Sequence, residues 1–378
     1  MRTLRERGCR VVNLLQGLVV GGMEKGVLQQ VEFARQVGHD DRILLFDHPS
    51  TADERDLDPG DLPVDLLRRN PGFDWRFGWR LGRLMREWNP SILHARNQTG
   101  LFYGALAIRL MGRRPPHLVG TFHTAPARTS KRARLASAWA ARQAKQVTVV
   151  SQELGDRLKR NGWISHYRTI YNGVDSERYR PDGPTGGWRT HLGVDPDAFV
   201  IGHVGRFDCN KQQVDLVEAF RIVQRAQPSA VLWLVGQGAL WGQVQRSVTN
   251  EPRIFLIPRV HDMERFLTEL DVYVLCSLHE GLPRALLEAM ATGRPVIATR
   301  VGGVPELLDT VDGPCGVLVP PREPSALAAA LLGLLDRERR ARFGALARQR
   351  AKECFSLEQS LAGYEDLYAE VLDAPQCP

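Results

Sequence analysis

The sequence predicts an α/β protein built from two doubly wound, Rossmann-like parallel-sheet domains. Three observations predict it. Short apolar runs alternate with helical patterns from one end of the chain to the other. The alternation starts afresh after a Pro/Gly-rich stretch, PDGPTGG at 181–187, which reads as an interdomain linker. A length of 378 residues provides a core for each of two domains.

Strands are expected in the first half at Val11–Leu15, Arg42–Phe46, Ile92–Ala95, Leu118–Phe122 and Val147–Ser151. In the second half they are expected at Phe199–Val204, Val231–Val235, Ile254–Ile257, Val272–Cys276 and Pro295–Thr299. Beyond about residue 323 the pattern is helical, ending in a helix around 356–373. The expected limits are therefore 1–180 for an N-terminal domain, 188–355 for a C-terminal domain, and 356–378 for a terminal helix. Arg2, Arg5, Arg7 and Arg10 before VVNLLQGLVVGG imitate a signal peptide, but Asn13 and Gln16 interrupt the apolar run and favour a buried first strand.

An apolar content of 43% and a charged content of 25% are those of a soluble globular chain, and no run approaches the roughly 20 apolar residues of a membrane span. The six cysteines are scattered without a C-x-x-C pair, against a disulfide framework or zinc site and for a reducing, cytoplasmic compartment. Charge is divided unevenly. Residues 1–180 hold 30 Lys and Arg against 18 Asp and Glu, a net +12; residues 181–378 hold 20 against 25, a net −5. No acidic residue lies between Glu87 and Glu153, where ten basic residues do. A one-sided basic surface suits an anionic partner, and without a nucleic-acid motif an anionic membrane surface or lipid phosphate ranks ahead of nucleic acid. Within Arg128–Lys145, Leu135 and Trp139 share a helix face amid six cations, a pattern that fits either a bilayer surface or packing on the sheet.

The most informative segment is His279–Gly293, HEGLPRALLEAMATG. Glu280 is expected in a loop and Glu288 two turns into a helix, with Pro283 at N1 and Gly293 at C′. A helix N-terminus at the lip of a parallel sheet offers free N–H groups to an anion such as a diphosphate, and two carboxylates beside it can accept from sugar and ribose hydroxyls. Glu288 lies within an apolar run, so its carboxylate needs a partner. Gly205-Arg206 follows a strand, with Lys211 five residues on; two cations there suit a diphosphate leaving group. Gly21 and Gly22 close the first strand ahead of a helix beginning near Met23, and let a ligand approach the backbone. His123, in TFHTAP, ends a strand where it can reach a sugar hydroxyl or phosphate, whereas His94 has a structural setting. Asn172-Gly173 forms a turn near the domain junction. No Walker loop, H-E-x-x-H, EF-hand or G-x-S-x-G pattern is present.

Taken in order, GGMEKG, TFHTA, YNGVD, GRFDCNK and HEGLPRALLEAMATGRPVIATRVGGVPEL resemble the retaining glycosyltransferases of family four, which have the GT-B fold, over nearly the whole chain. The resemblance implies two Rossmann-like domains facing a cleft, with the terminal helix crossing back to the first. The first domain would be on the acceptor side and the second would hold a nucleotide-sugar donor. Arg206 and Lys211 would grip the diphosphate, Glu280 the donor hexose and Glu288 the ribose. Gly281 and Leu282 would bond the sugar and phosphate through their backbone, and Gly22 and His123 would complete the site. Two departures stand out: Gln212 where glycine is usual, and Pro258, followed by Arg259, where glycine is usual beside the nucleobase. The implied reaction is hexose transfer from a UDP- or GDP-linked donor to a glycan or lipid-linked acceptor in envelope or exopolysaccharide synthesis. It needs no metal or other cofactor, and a peripheral location on the inner membrane face would serve it. The competing readings are a UDP-sugar 2-epimerase and a non-catalytic nucleotide-sugar-binding protein on the same fold.

Overall fold

The computed structural model describes residues 8–18, 21–47, 57–112, 115–125 and 130–373. They form two compact units, one of residues up to Tyr171 together with those from Ser360 on, the other Asn172–Gln359. In chain order the first unit contains β1 (Arg10–Leu15), α1 (Gly22–Gln36), β2 (Asp40–Leu45), β3 (Val64–Leu66), α2 (Trp75–Trp88), β4 (Ile92–Ala95), α3 (Gln98–Met111), β5 (His117–Phe122), α4 (Lys131–Gln143), β6 (Gln146–Val149), α5 (Gln152–Arg160) and β7 (Arg168–Thr169). The second contains α6 (Trp188–His191), β8 (Val200–Val204), α7 (Gln213–Ala226), β9 (Val231–Val235), α8 (Trp241–Ser247), β10 (Ile254–Ile257), α9 (Met263–Thr268) and β11 (Val272–Leu275). It continues with α10 (Arg284–Ala291), β12 (Val296–Thr299), α11 (Val304–Leu308), β13 (Val317–Val319), α12 (Pro324–Gly333) and α13 (Arg337–Cys354). A last helix, α14 (Leu357–Asp373), belongs to the first unit from Ser360 onward.

Both sheets are wholly parallel. Their orders are β3-β2-β1-β4-β5-β6-β7 and β10-β9-β8-β11-β12-β13, so each reverses direction beside its first strand, between β1 and β4 and between β8 and β11. Ligands of such sheets bind at the carboxyl ends of the strands flanking that reversal. All ten expected strands are present, most with ends shifted by a residue or two. Ser151 lies outside β6 because its hydroxyl accepts from Leu154 N–H and caps α5. The three strands the pattern did not show, β3, β7 and β13, are two or three residues long, too short to display a period.

The segment 181–187 is not the junction; the units divide at Tyr171–Asn172. The stretch is anchored within the second unit. Pro181 packs against Gly293, and Glu269 accepts from the backbone N–H groups of Trp188 (2.8 Å) and Arg189 (2.7 Å) directly after it. Proline and glycine here mark a packed turn rather than a hinge.

In the first unit, Val27 and Val31 of α1 pack with Leu15, Leu18 and Ile43, while Tyr364, Leu367, Tyr368 and Val371 of α14 pack with Val11, Ile92, Val119 and Ile170. Each such fully buried side chain contributes roughly 1.5–3 kcal/mol. A polar layer runs through this core. His94 bonds Tyr368 Oη (2.6 Å) and Thr121 Oγ1 (2.7 Å), as its structural setting in the sequence suggested. Buried Arg96 donates twice to Asn13 Oδ1 and lies over the Tyr364 ring. Asn13 in turn donates to Asp41, whose carboxyl is pushed up to about 7 by burial against the pull of Arg96 and Asn13. The second unit buries a continuous cluster, from Phe199, Ile201 and Phe207 through Phe220, Leu232 and Val274 to Leu331.

Candidate functional site

The carboxyl ends of β8 and β11 are neighbours, since Val272 pairs with Ile201 and Tyr273 with Gly202. The segments that follow these strands carry the two cations and the loop glutamate. Arg206 is exposed just beyond β8, while Lys211 and Glu280 are partly buried. The Lys211 ammonium donates to Glu280 Oε1 at 2.6 Å, with side-chain exposures of 20% and 11%. That exposure leaves both groups reachable by a ligand. Asn210 joins the two loops: its backbone carbonyl accepts from Leu278 N–H (2.8 Å), its Oδ1 accepts from His279 N–H and its Nδ2 donates to His279 O, both at 2.9 Å. Asp208 accepts from the N–H groups of Asn210 and Lys211 and fixes the turn carrying the cation.

Two glycine segments brace these loops from behind, backbone against backbone. At Gly236 (φ +138°) an added Cβ would lie 2.0 Å from Gly205 O, and at Gly238 (φ +154°) 2.4 Å from Phe207 O; Phe207 N–H also donates to Gln237 O. At Gly302 (φ +51°) a Cβ would lie 1.9 Å from Glu280 O, and Gly303 N–H donates to Gly281 O at 3.0 Å. Each brace needs both a positive φ and a missing side chain, which is the physical case for glycine.

Beneath the Arg206 loop lies His203, fully buried. Its Nδ1–H donates to Val274 O (2.9 Å), and its Nε2 faces Gln213 Nε2 (3.4 Å), whose amide also donates to Arg206 O. Burial pushes His203 down to about 4, with the Val274 bond opposing and the Lys211 charge assisting. The ring is neutral near pH 7.

Pro283 is the N-cap of α10 rather than its first residue, and Gly293 stands at C′ with φ +70°. Glu288 is consequently the fifth residue of α10, a little over one turn in, and 6% exposed. Its need for a partner is met within the protein. Arg284, one turn before it and also buried, is pushed down by burial and held up by the Glu288 charge, then by Tyr179. Tyr179 hydrogen-bonds Glu288, and burial followed by the Glu288 charge drives its hydroxyl well above its ordinary range. Burial of Glu288 by itself therefore does not require a ligand, contrary to the sequence argument.

Leu282 is buried, and its carbonyl accepts from Asn172 Nδ2 at 2.8 Å, so the N-G-V-D turn supports the Glu280 loop. Gly281 is buried beside it. Arg259 is exposed beyond β10. In the first unit Gly21 is the N-cap of α1 with extended φ of −160°, Gly22 is the first residue of that helix, and His123 is partly buried at the carboxyl end of β5. Sequence reasoning missed Asn210, Asp208, His203 and Gln213. Only His203 carried a signal, as a polar residue inside an apolar strand. Among the described residues no group of three or more His, Cys, Asp or Glu side chains could hold a metal ion, and no helix is long and apolar enough to cross a membrane.

Two family models match the chain: Glycosyltransferase Family 4 over residues 20–178 and Glycosyl transferases group 1 over residues 198–337. The chain belongs to the group 1, family 4 glycosyltransferases. Its fold is GT-B, two parallel-sheet α/β domains. Anabaena HepE, solved in complex with UDP and glucose, superposes with a TM-score of 0.81 at 22% identity, over 96% of this chain and 100% of that one. The N-acetyl-alpha-D-glucosaminyl L-malate synthase of Bacillus anthracis is 31% identical over 209 residues, 54% of each chain, so the match spans about half the length of that relative. The UDP-Gal:alpha-D-GlcNAc-diphosphoundecaprenol alpha-1,3-galactosyltransferase of Escherichia coli is 26% identical over 302 residues, 75% of this chain and 78% of that protein.

Proposed function

We propose that the protein transfers a hexose from a UDP- or GDP-linked donor to a hydroxyl of a glycan or lipid-linked acceptor, with retention at the anomeric carbon. The observation that carries this reading is the Lys211–Glu280 pair, 2.6 Å apart beside Arg206 at the reversal point of the second sheet. Arg206 and Lys211 meet the charge that grows on the leaving diphosphate. Glu280 accepts from hexose hydroxyls, with the backbone at Gly281 and Leu282 beside it; Glu288 accepts from the ribose, and Arg259 lies on the nucleobase side. The bond from the anomeric carbon to the phosphate oxygen breaks on the face where the acceptor oxygen bonds. The acceptor proton passes to the departing phosphate oxygen, so the chain supplies no base. The two cations do the work a metal would do, and no metal or other cofactor is required. In the first unit Gly21 and Gly22 at the start of α1 and His123 beyond β5 are assigned to ligand binding, and in the second Asn172 holds the Glu280 loop in place.

The UDP and glucose bound by HepE, and the UDP-Gal and undecaprenol-linked acceptor in the name of the E. coli relative, support a nucleotide-sugar donor and a lipid-linked acceptor in envelope or exopolysaccharide synthesis. On this reading the enzyme works at the cytoplasmic face of the membrane, with the cations of α4 toward anionic headgroups. The test is incubation with a panel of UDP- and GDP-hexoses and lipid-linked or oligosaccharide acceptors, the anomer of the product being read by NMR. Isomerised donor without transfer would establish the 2-epimerase instead. Donor binding with neither product would establish a non-catalytic binding protein.

A further inference from the structure

The helix α2 carries a surface that the transfer site does not use. Asp74 caps it by accepting from Phe77 N–H. Phe77, Leu81 and Met85 are at most 1% exposed and face inward. Gly78 and Gly82 bring α2 hard against α3: a Cβ at Gly78 would lie 2.6 Å from Leu106, and one at Gly82 3.1 Å from Ala107 O. The helix is thereby fixed in rotation, and its outer face shows large aromatics to solvent. Phe73 is 71% exposed, Trp75 59% and Trp79 50%, with the two tryptophans one turn apart on the same side.

An isolated exposed apolar residue is ordinary, but three aromatics within seven residues, two on a clamped helix and one just before its N-cap, are not. The surface extends beyond α2. The Phe73 ring meets Phe102 at 6.1 Å, Phe102 meets Trp139 of α4 at 5.8 Å, and Leu135, one turn from Trp139, is 67% exposed. Its surroundings are cationic. Arg76 and Arg83 are exposed on α2, α3 and α4 contain no acidic residue, and Glu87 is the only one in α2. Aromatics with an apolar body and a polar edge, ringed by arginine, are what the interface of an anionic bilayer accepts. A second copy of the same surface would set arginine against arginine.

We infer that the α2 face, led by Phe73, Trp75 and Trp79, inserts into the interfacial layer of an anionic membrane, with the neighbouring arginines on lipid phosphates. This deepens the membrane-facing reading above by naming the element that enters the lipid. Lipid binding is measured without donor or acceptor, so its failure and the failure of sugar transfer are separate results.

The experiment is flotation of the full chain with vesicles of phosphatidylcholine alone or mixed with phosphatidylglycerol, at low and high salt. Wild type should float with the anionic vesicles and release as salt rises. Phe73→Ser/Trp75→Ser/Trp79→Ser, all at exposed positions, should bind at least tenfold more weakly while keeping the wild-type melting temperature. Arg76→Glu/Arg83→Glu should lose roughly fivefold per charge removed, before counting repulsion. In brominated lipid, quenching of wild-type tryptophan emission should fall in Trp75→Phe/Trp79→Phe although that variant still binds. Binding by the triple serine variant equal to wild type, or equal binding of wild type to neutral vesicles, overturns the inference. So does wild type that ignores vesicles but forms a dimer, or holds single-stranded RNA, in a way the serine variant abolishes.

Discussion

Replacing Gly302 by alanine tests whether the Glu280 loop is placed by backbone contact from behind. Gly302 has φ +51°, and its added Cβ would lie 1.9 Å from Glu280 O and 2.9 Å from Glu280 C. A carbon and a carbonyl oxygen settle near 3.3 Å, so one backbone must retreat by about 1.4 Å. Gly303 N–H holds Gly281 O at 3.0 Å, so the retreat is transmitted to the loop that carries the carboxylate. A misplacement of about 1 Å near reacting groups costs on the order of 100-fold in rate. The left-handed backbone costs alanine a further 1–2 kcal/mol or so in stability. Gly193, in the same unit, separates the two effects: its φ is +63° and nothing lies within 4 Å of its added Cβ. Gly193→Ala should lower the melting temperature by about 2–6 °C with transfer unchanged. Gly302→Ala should lower it further and reduce turnover roughly 100-fold. If Gly302→Ala melts with Gly193→Ala and turns over within about twofold of wild type, the bracing argument is wrong.

Arg206→Ala and Lys211→Ala should each reduce kcat by about 100-fold or more with the fold intact, measured by single-turnover transfer; normal turnover removes that residue from the mechanism. Glu280→Gln should depress turnover and blur sugar choice while nucleoside diphosphate still binds. Glu288→Gln should weaken nucleoside diphosphate binding in calorimetry and also lower the melting temperature, because it leaves Arg284 buried beside a neutral amide; normal binding refutes the ribose role. His203 makes the second unit acid-sensitive. Its folded pKa, about 4, lies below the unfolded value of 6.5, so below pH 6.5 the unfolded chain takes up a proton the folded one refuses. Stability from this group is complete above about pH 6.5 and is lost on the way down to pH 4, about 3 kcal/mol in all. Urea midpoints at pH 7 and pH 5 should therefore differ more for wild type than for His203→Asn, and equal differences would count against a neutral buried ring.

The strands and the block from His279 to Gly293 were legible because they are written in contiguous residues: an apolar run ending in a loop, or a glutamate followed by a helix with a glycine stop. What escaped was set by contacts between distant segments. PDGPTGG has the composition of a linker, and nothing local reveals that Glu269, some 80 residues away, caps the backbone just beyond it. Asn210 is one polar residue among several in GRFDCNK until the second loop arrives to share its amide. The short strands β3, β7 and β13 exist because a neighbour offers a ladder, not because their own residues demand one.

Glu288 shows how the same chemistry serves two readings. In the sequence, a carboxylate inside an apolar run argued for ligand hydroxyls as its partners. The fold places Arg284 and Tyr179 there instead, so the cost of burying the charge is offset before any ligand arrives. The proposed ribose role is changed by this rather than removed. A carboxylate oriented by an arginine one turn away on its own helix and by a tyrosine hydroxyl has little freedom left to lose when a ribose diol approaches. Glu280 is prepared differently: its partner Lys211 is itself a proposed diphosphate ligand, so binding must exchange that pair for a bridge through the donor. The two glutamates of the motif thus differ in kind. One is held by the scaffold and the other by a partner that the substrate must recruit, so Glu280→Gln and Glu288→Gln should separate turnover from binding.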